Sequence, residues 1–288
     1  MKIIHKFKNT ILNKGIRKTV ILFDSLYGLG KLEKLISLKW FNPFLTLWLN
    51  LRSLPFHQAI RLPIWVYGKP RFYSLSGTII IEGKIKFGMI KFNKVRPGAP
   101  SYMGLNSEIY NLGNIIIQGS GYFGTGNKIF INYGAELTLG NNFAITDMVN
   151  LGCMKKIVIK SGTSITHRCQ LLDSNYHYVA NFNNNTIPDR AKPLIIGERC
   201  WIGNSTTITG GTILPDFTIV ASNSLVNSST NKIPKNSIIG GVPAKLIRTG
   251  FRRVYNKKLN IELNKYFEWN TDPFNMSQNI SMEECSEV

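Results

Sequence analysis

The stretch RCWIGNSTTITGGTILPDFTIVASNSLVN, residues 199–227, repeats with a period of six. One aliphatic residue stands at every sixth position; these residues are Ile196, Ile202, Ile208, Leu214, Val220 and Val226. A second series, two positions earlier, is small or β-branched throughout: Cys200, Thr206, Thr212, Thr218 and Ser224. A period of six matches neither the 3.6-residue turn of a helix nor simple strand alternation. It predicts a tandem unit of one short strand and one corner.

Three such units close a triangular coil of about 18 residues, so the pattern predicts a mainly β fold built as a parallel β-helix. Upstream, two shorter runs keep the same six-residue step: Leu139, Ile145 and Leu151, then Ile159, Ile165 and Leu171. The aliphatic side chains should point into the prism and stack from coil to coil. Stiff, β-branched residues suit such packing.

The repeat has a two-residue insertion between Leu151 and Ile159, and its long interruption lies between Leu171 and Ile196. The intervening segment DSNYHYVANFNNNTIPDRAKP, residues 173–193, is polar, rich in Asn and carries two prolines. We expect it to leave the prism as a loop and return. Loops that break a regular scaffold commonly carry the specific chemistry, so the functional residues are sought here first.

The segments KPLIIGERCWIGNSTTITGGTILPDFTIVASNSL and IPKNSIIGGVPAKLIR resemble the hexapeptide-repeat acyltransferases, in the branch that acetylates sugars, antibiotics and bacterial polysaccharides. The resemblance implies a left-handed parallel β-helix, a homotrimer with active sites in the clefts between neighbouring prisms, and acetyl-CoA as co-substrate. It also implies Gly where this chain has Asn223 and Asn where it has Val242.

Three segments are expected. Residues 1–75 form a basic, aromatic-rich N-terminal segment, with helical or irregular structure. Residues 76–248 form the β-helix domain with its loop at 173–193, and residues 249–288 hold a short C-terminal helix and an acidic tail.

The net charge of +19 is concentrated at the N-terminal end, because residues 1–100 carry 18 Lys and Arg against 3 Asp and Glu. Within them KWFNPFLTLWLNLRSLPF, residues 39–56, mixes aromatic and basic side chains and is too short to span a bilayer. Two interpretations stay open: a cap on the open end of the solenoid, or an element that contacts an anionic membrane surface. No nucleic-acid-binding module accompanies the charge, so nucleic acid is not expected as a partner.

Acyl transfer to a sugar hydroxyl needs a general base, and His suits this task near neutral pH. His177 stands at the start of the loop and matches the catalytic His motif of the resembling family, with His167 as the alternative. Asp173 is expected either to orient the imidazole or to cap the turn that begins the loop. Asn175 stands where many relatives carry a second Asp.

The resemblance also suggests a coenzyme A site. Small residues at one prism edge would admit the pantetheine arm, an aromatic residue would lie near the acyl group, and two cations would meet the phosphates. Gly203, Ala221 and Ser222 are the small residues, Trp201 is the aromatic residue, and Lys245 and Arg248 are the two cations.

The four cysteines lack paired spacing, and Cys169 and Cys200 hold small-residue positions of the repeat, so reduced thiols in a cytoplasmic protein are expected. No cluster has metal-ligand spacing. The leading interpretation is an O-acetyltransferase acting on a sugar or lipid-linked saccharide of a surface polysaccharide. Two alternatives stay open: an N-acetyltransferase for an amino-sugar nucleotide or another amine, and an inactive β-helix scaffold.

Overall fold

The chain folds as a three-sided parallel β-helix. The structure is a computed structural model, and it describes residues 41–96, 105–276 and Cys285. Within these residues the first 20 strands pass through three sheets in rotation, so each strand pairs with the third strand after it in sequence. The predicted fold class, mainly β with hexapeptide coils, an N-terminal cap and a short C-terminal helix, is confirmed.

Each sheet is one face of the prism, and its strands are two to six residues long. Sheet 1 contains β1 (Ile64–Val66), β4 (Ile90–Phe92), β7 (Gly121–Phe123), β10 (Phe143–Ile145), β13 (Ser164–Ile165), β16 (Trp201–Ile202), β19 (Ile219–Val220), β21 (Ser237–Gly241) and β22 (Ala244–Thr249). Sheet 2 contains β2 (Arg71–Leu75), β5 (Glu108–Asn111), β8 (Lys128–Ile131), β11 (Asn150–Cys153), β14 (Gln170–Leu172), β17 (Thr207–Thr209) and β20 (Leu225–Val226). Sheet 3 contains β3 (Thr78–Ile81), β6 (Asn114–Ile117), β9 (Glu136–Leu139), β12 (Lys156–Ile159), β15 (Leu194–Ile196) and β18 (Ile213–Leu214).

The predicted aliphatic series forms the core. Its six members from Ile196 to Val226 are each no more than 1% exposed, and they occupy the three sheets in turn. The register is direct: Ile165 pairs with Ile202, and Ile202 pairs with Val220. The apolar side chains therefore stack in columns parallel to the prism axis, as the period of six requires.

The small-residue series closes the corners. Where a member carries a hydroxyl, the side chain can donate to the carbonyl three residues earlier, as Thr212, Thr218 and Ser224 all do at 2.7 Å. The residue just before each small residue has a positive φ; these residues are Arg199, Ser205, Gly211, Phe217 and Asn223. Asn tolerates this left-handed conformation better than most side chains, so Asn223 fits the corner without glycine.

The sheets begin earlier than the expected boundary at residue 76. Strands β1 and β2 lie within residues 64–75, and β1 pairs in parallel with β4. The paired residues Ile64 and Ile90 are 26 positions apart. These longer corners hide the six-residue step, which explains why the first coil is not visible in the sequence pattern.

Two helices cover the open end of this first coil: α1 (Pro43–Ser53) and α2 (Phe56–Ala59). The side-chain amide of Asn50 donates to the carbonyl of Ile64 and accepts its N–H, at 2.7 and 3.1 Å. Gln58 makes the same pair of bonds with Ile81, at 2.9 and 3.0 Å. Each amide pairs with one residue of an edge strand as a neighbouring strand would, at Ile64 on sheet 1 and at Ile81 on sheet 3. This part of the N-terminal segment is therefore a cap.

The C-terminal end folds back on sheet 1. Strand β22 pairs antiparallel with β21, and the chain then runs outside the sheet to helix α3 (Lys257–Trp269). Along this path the Arg253 guanidinium lies 5.1 Å from the centre of the Trp201 ring. The Tyr255 hydroxyl donates to the carbonyl of Cys200 at 3.4 Å.

Candidate active site

The interrupting loop leaves the prism at the corner between sheets 2 and 3. It occupies residues 173–193, between β14 and β15. Both ends of the loop are tied together, because Ser174 forms an antiparallel bridge with Ala191 and the N–H of Lys192 donates to the carbonyl of Asp173 at 2.8 Å. The loop mouth is thus fixed to the rigid coil.

Asp173 anchors this mouth. Its side chain is buried, and its carboxylate accepts three backbone N–H groups of the preceding coil, from Met154, Lys155 and Lys156, at 2.7–2.8 Å. A buried carboxylate is stable when hydrogen bonds surround its charge. The turn-capping expectation thus describes this residue well.

The orienting role expected of Asp173 has no counterpart here. Among the described residues, no hydrogen bond joins its carboxylate to His177, because both oxygens already face the backbone amides of the turn below. His177 is exposed, and Asn175 is exposed beside it. The imidazole is therefore held by the position of its loop and not by this carboxylate.

An open pocket of about 370 Å³ lies against the loop mouth. It brings together His177, Asn175 and Asp173, three of the expected residues, with cations from the returning arm of the loop. Its lining also includes Ser174, Arg190, Lys192, Thr209 and Gly210. The pocket brings an imidazole, hydrogen-bonding groups and positive charge into one cleft, which suits a polar or anionic ligand.

Tyr176, which directly precedes His177 in the chain, packs against the coil below, a contact that the sequence pattern did not predict. Its hydroxyl lies over Gly152, so close that a Cβ atom added there would be 2.1 Å away. Burial raises the pKa of the Tyr176 phenol. The available signal for this contact was Gly152 in β11, because the paired positions in the neighbouring coils carry the larger residues Phe130 and Leu172.

The returning arm of the loop is fixed by charge. The Lys155 ammonium lies 2.7 Å from the Asp189 carboxylate, and this hydrogen bond lowers the pKa of that carboxyl. Arg190 donates to the carbonyl of Tyr176 at 3.3 Å and lies over the Tyr178 ring at 5.1 Å. The two arms therefore contact each other across the pocket.

His167 lies elsewhere. It follows β13 at the corner between sheets 1 and 2, is half-buried, and its carbonyl accepts the N–H of Ser205 at 3.0 Å. It does not line the pocket that holds His177.

The small residues expected to admit coenzyme A lie at this same corner, between sheets 1 and 2. Gly203 is buried under the next coil, where a Cβ atom would lie 2.6 Å from the Val220 carbonyl oxygen. The Ser222 and Asn204 side chains share a hydrogen bond of 2.6 Å, and Ala221 is half-buried. Packing alone thus requires a glycine at 203.

The remaining coenzyme candidates lie around the last coils. Trp201 is 38% exposed, with Arg253 over its ring. Lys245 and Arg248 are exposed on β22, and the Arg248 guanidinium lies 5.8 Å from the Phe251 ring centre. Within the described residues neither cation has an acidic partner.

Within one chain, the pocket that contains His177 and the corner that contains Gly203 lie apart. The His177 pocket is at the corner of sheets 2 and 3, and the Gly203 corner is on the opposite edge of sheet 2. One face of about five residues separates them, or roughly 15 Å at the rise of a β-strand.

The thiols on the coils are chemically inert. Cys153, Cys169 and Cys200 are free and fully buried, and burial raises their pKa values to about 12, 11 and 12 respectively. The expectation that Cys169 and Cys200 are packing residues agrees with this burial. In the part of the chain that the structure describes, no group of three or more His, Cys, Asp or Glu could hold a metal ion.

Comparison with known proteins places the chain near acetyltransferases. A scan against protein-family models finds no match. Over 116 residues the chain is 31% identical to WbbJ of Escherichia coli K12, provisionally named a lipopolysaccharide biosynthesis O-acetyl transferase; the match covers 38% of this chain and 58% of WbbJ. Over 122 residues it is 32% identical to WcaF of the same organism, provisionally named a colanic acid biosynthesis acetyltransferase, covering 42% and 63%.

These matches span less than two thirds of either relative. Among solved structures, the polySia-specific acetyltransferase NeuO aligns with a TM-score of 0.41 at 17% identity, over 74% of this chain and 91% of that one. The curated relatives carry acetyltransferase names, so the resemblance inferred from the hexads and the C-terminal segment is confirmed.

Proposed function

We infer that this chain, which resembles the hexapeptide-repeat acyltransferases and folds as a parallel β-helix, is an acyl-CoA-dependent O-acetyltransferase acting on a sugar hydroxyl of a surface-polysaccharide precursor. The observation that carries the proposal is the pocket at the loop mouth, where exposed His177 stands on a segment anchored by Asp173 and Tyr176. The names of WbbJ and WcaF support the saccharide acceptor.

His177 acts as general base in this mechanism. The imidazole accepts the hydroxyl proton while the sugar oxygen bonds to the thioester carbonyl carbon. The tetrahedral intermediate then collapses, the carbon–sulfur bond breaks, and the imidazolium returns the proton to the departing coenzyme thiolate. The products are an acetyl ester and free coenzyme A. Base catalysis of this kind contributes roughly 100-fold to 10,000-fold.

The co-substrate would contact the corner between sheets 1 and 2. Lys245 and Arg248 are exposed cations that suit the phosphates of coenzyme A, and Ala221 and Ser222 present small side chains at the coil edge. Acetyl-CoA supplies the activated acyl group; the acyl chain length is part of the proposal. Trp201 and Gly203 complete the proposed contact set.

The separation of these residues supports a site shared between subunits, and the family resemblance makes the proposed assembly a homotrimer. The pocket with His177 and the corner with Gly203 lie on opposite edges of one face. A cleft between two copies would place the base of one subunit beside the coenzyme corner of another. The site is then complete only in the assembly. The buried free thiols support a cytoplasmic, reducing location.

Thiol release from acetyl-CoA, measured against a panel of sugars, amino sugars and sugar nucleotides, tests the proposal. We expect turnover with hydroxyl acceptors, and a loss of 100-fold or more in His177→Ala with coenzyme binding retained. His167→Ala tests the alternative base and should keep most of the turnover, and the exposed His57, on α2, gives the matched control His57→Ala. Turnover only with amino acceptors would favour the N-acetyltransferase, and no thiol release with any acceptor would favour a scaffold.

A further inference from the structure

The cap helix α1 turns a mostly polar stripe inward and an apolar stripe outward. The inward stripe faces the first coil and consists of Thr46, Leu49, Asn50 and Ser53. The outward stripe has the same i, i+3, i+4, i+7 spacing and consists of Phe44, Leu47, Trp48 and Leu51. A helix that packs on a soluble domain normally buries its apolar face. The outward stripe therefore needs a partner.

This outward face is large. Phe44 is 84% exposed and Trp48 is 58% exposed, and two residues of the following turn, Phe56 and Ile60, add further apolar surface at 74% and 59%. Six large apolar side chains in 17 residues form one apolar patch, here called the cap patch (Phe44, Leu47, Trp48, Leu51, Phe56, Ile60). Contiguous exposed patches of this kind mark a binding surface.

The cap helices and the first coil carry several exposed cations. Arg52 and Arg61 lie on and just after the cap helices, and the corners of the first coil contribute Lys69, Lys84 and Lys86; all five are exposed. No ion pair among the described residues involves them. Residues 41–88 contain a single acidic side chain, Glu82. A partner with an apolar interior and a negative rim fits this surface.

We propose that the cap patch docks on an anionic lipid bilayer, lying in the interface without spanning it. Aromatic and aliphatic side chains would enter the headgroup boundary, and the cations would meet acidic headgroups. Within the described residues no helix is long and apolar enough to cross a membrane. The patch covers the end of the solenoid, and the prism axis then points away from the lipid.

The orientation of the prism on the lipid surface bears on the kind of acceptor. This inference rests on the proposed function. The loop with His177 leaves the fifth strand of sheet 2, four strand spacings from the first coil. Neighbouring strands are about 4.8 Å apart, so the base stands about 20 Å from the capped end. The acceptor is therefore a saccharide on a lipid carrier, acetylated on a sugar held away from the lipid phosphate.

Vesicle sedimentation with the full chain tests the docking. We expect binding to vesicles with 30% phosphatidylglycerol and little binding to phosphatidylcholine alone. The triple variant Phe44→Ser, Trp48→Ser, Phe56→Ser should bind at least tenfold more weakly, while Tyr133→Ser, at an equally exposed aromatic site, should bind normally. Arg52→Gln with Arg61→Gln should weaken binding about 30-fold at low salt. Equal binding by all variants would overturn the proposal.

Two further readouts identify other occupants. Trp48→Phe gives the Trp48 signal by difference, and acrylamide should quench it in water but not with vesicles; a Trp48 already shielded in water would mean that the chain itself covers the patch. Dissociation of an oligomer by the triple variant would assign the patch to a second copy. Either result overturns the proposal.

Acetylation assays separate the two inferences. Wild-type protein should prefer a saccharide on a lipid carrier in anionic vesicles over the same saccharide free in solution. The triple variant should lose this preference and keep its turnover of the free saccharide. Vesicle binding without turnover of either acceptor would leave docking intact and reject the proposed function. Turnover without preference would reject the lipid-linked acceptor.

Discussion

The carboxylate of Asp173 accepts the backbone N–H of Lys155 at 2.7 Å, across one coil of the solenoid. Two more amides, those of Met154 and Lys156, donate to the same carboxylate. The loop that carries the proposed base is thus fastened to the turn beneath it by a buried, fully bonded charge. The loop is an extension of the rigid scaffold at this point.

Asp173→Asn should weaken this attachment. An amide offers one acceptor oxygen, and its NH₂ group faces N–H donors, so buried donors lose a partner. We expect the free energy of unfolding to fall by about 1–3 kcal/mol, with a lower kcat because the loop mouth loosens. Chemical denaturation and acetyl-CoA turnover measure the two effects. Asp189→Asn removes only an exposed ion pair and should leave stability nearly unchanged; an equal loss in both variants would contradict this assignment.

Gly152→Ala should displace the Tyr176 ring and, with it, His177. The added Cβ would lie 2.1 Å from the Tyr176 hydroxyl oxygen but 3.3 Å from the ring carbon behind it. We expect a fall in kcat of tenfold or more, with the solenoid still folded. Removing the hydroxyl relieves the clash, so the double variant Gly152→Ala, Tyr176→Phe should recover most of the activity of Tyr176→Phe alone. Additive losses would exclude the contact as the cause.

The fold was predictable because its information is local and periodic. Ile196 to Val226 recur without insertion, so a period of six identifies the strands, the buried residues and the corners. The loop at 173–193 was visible as a break in that period. The first coil was not, because Ile64 and Ile90 pair across 26 residues.

The site was predictable only in part, because its contacts join distant coils. His177 and Asn175 both line the pocket, and the resemblance to the family motif had singled out both. The backbone N–H groups that donate to Asp173 belong to residues 17 to 19 positions earlier. A six-residue period does not predict hydrogen bonds between a side chain and the backbone of another coil. The inward polar stripe of α1 is equally non-local, because the buried Asn50 amide bonds to Ile64, 14 residues later, as well as to the carbonyl of Thr46 within the helix.

Lys245→Ala should raise the KM for acetyl-CoA about tenfold or more, because a charge-assisted hydrogen bond to phosphate is worth roughly 1.5–3 kcal/mol. Thermal stability should not change, since the side chain is exposed and unpaired within the described residues. Lys258→Ala, on α3, is the matched control. A comparison with the dephospho form of acetyl-CoA tells whether the 3′-phosphate is the partner. An unchanged KM would remove Lys245 from the coenzyme site.

The coil thiols should make stability fall at alkaline pH. Burial raises the pKa values of Cys153, Cys169 and Cys200 to about 12, 11 and 12, against about 8.5 in an unfolded chain. The unfolded state therefore loses protons first, and the stability contributed by each neutral thiol is present below pH 8.5. Above pH 8.5, each thiol should lower the free energy of unfolding by ~1.4 kcal/mol per pH unit, until the pH reaches the pKa of that thiol in the folded state. Cys200→Ala should reduce the slope of the free energy of unfolding against pH by the contribution of one proton. Denaturation curves at pH 8–10 measure this slope.

The same thiols should resist alkylation at pH 8 in the folded protein, because the thiolate is the reactive form. Mass spectrometry of iodoacetamide-treated protein should find all three unmodified, and fully modified after unfolding in denaturant. Rapid labelling of Cys200 in the native state would mean that the last coils open far more readily than their complete burial implies.

The last prediction concerns Asn50 and Gln58. Each side-chain amide makes two hydrogen bonds to the backbone of one residue on an edge strand of the first coil. Asn50→Asp and Gln58→Glu keep the shape and the acceptor but lose the donor, so a carboxylate would face the carbonyl of Ile64 or Ile81. We expect each to reduce stability by about 1–3 kcal/mol and to speed hydrogen exchange at the N–H groups of Ile64 and Ile81. The effect should decline coil by coil toward the His177 loop, because a solenoid transmits stability between neighbours. Uniform destabilisation of all coils would instead mean that the solenoid unfolds as one cooperative unit.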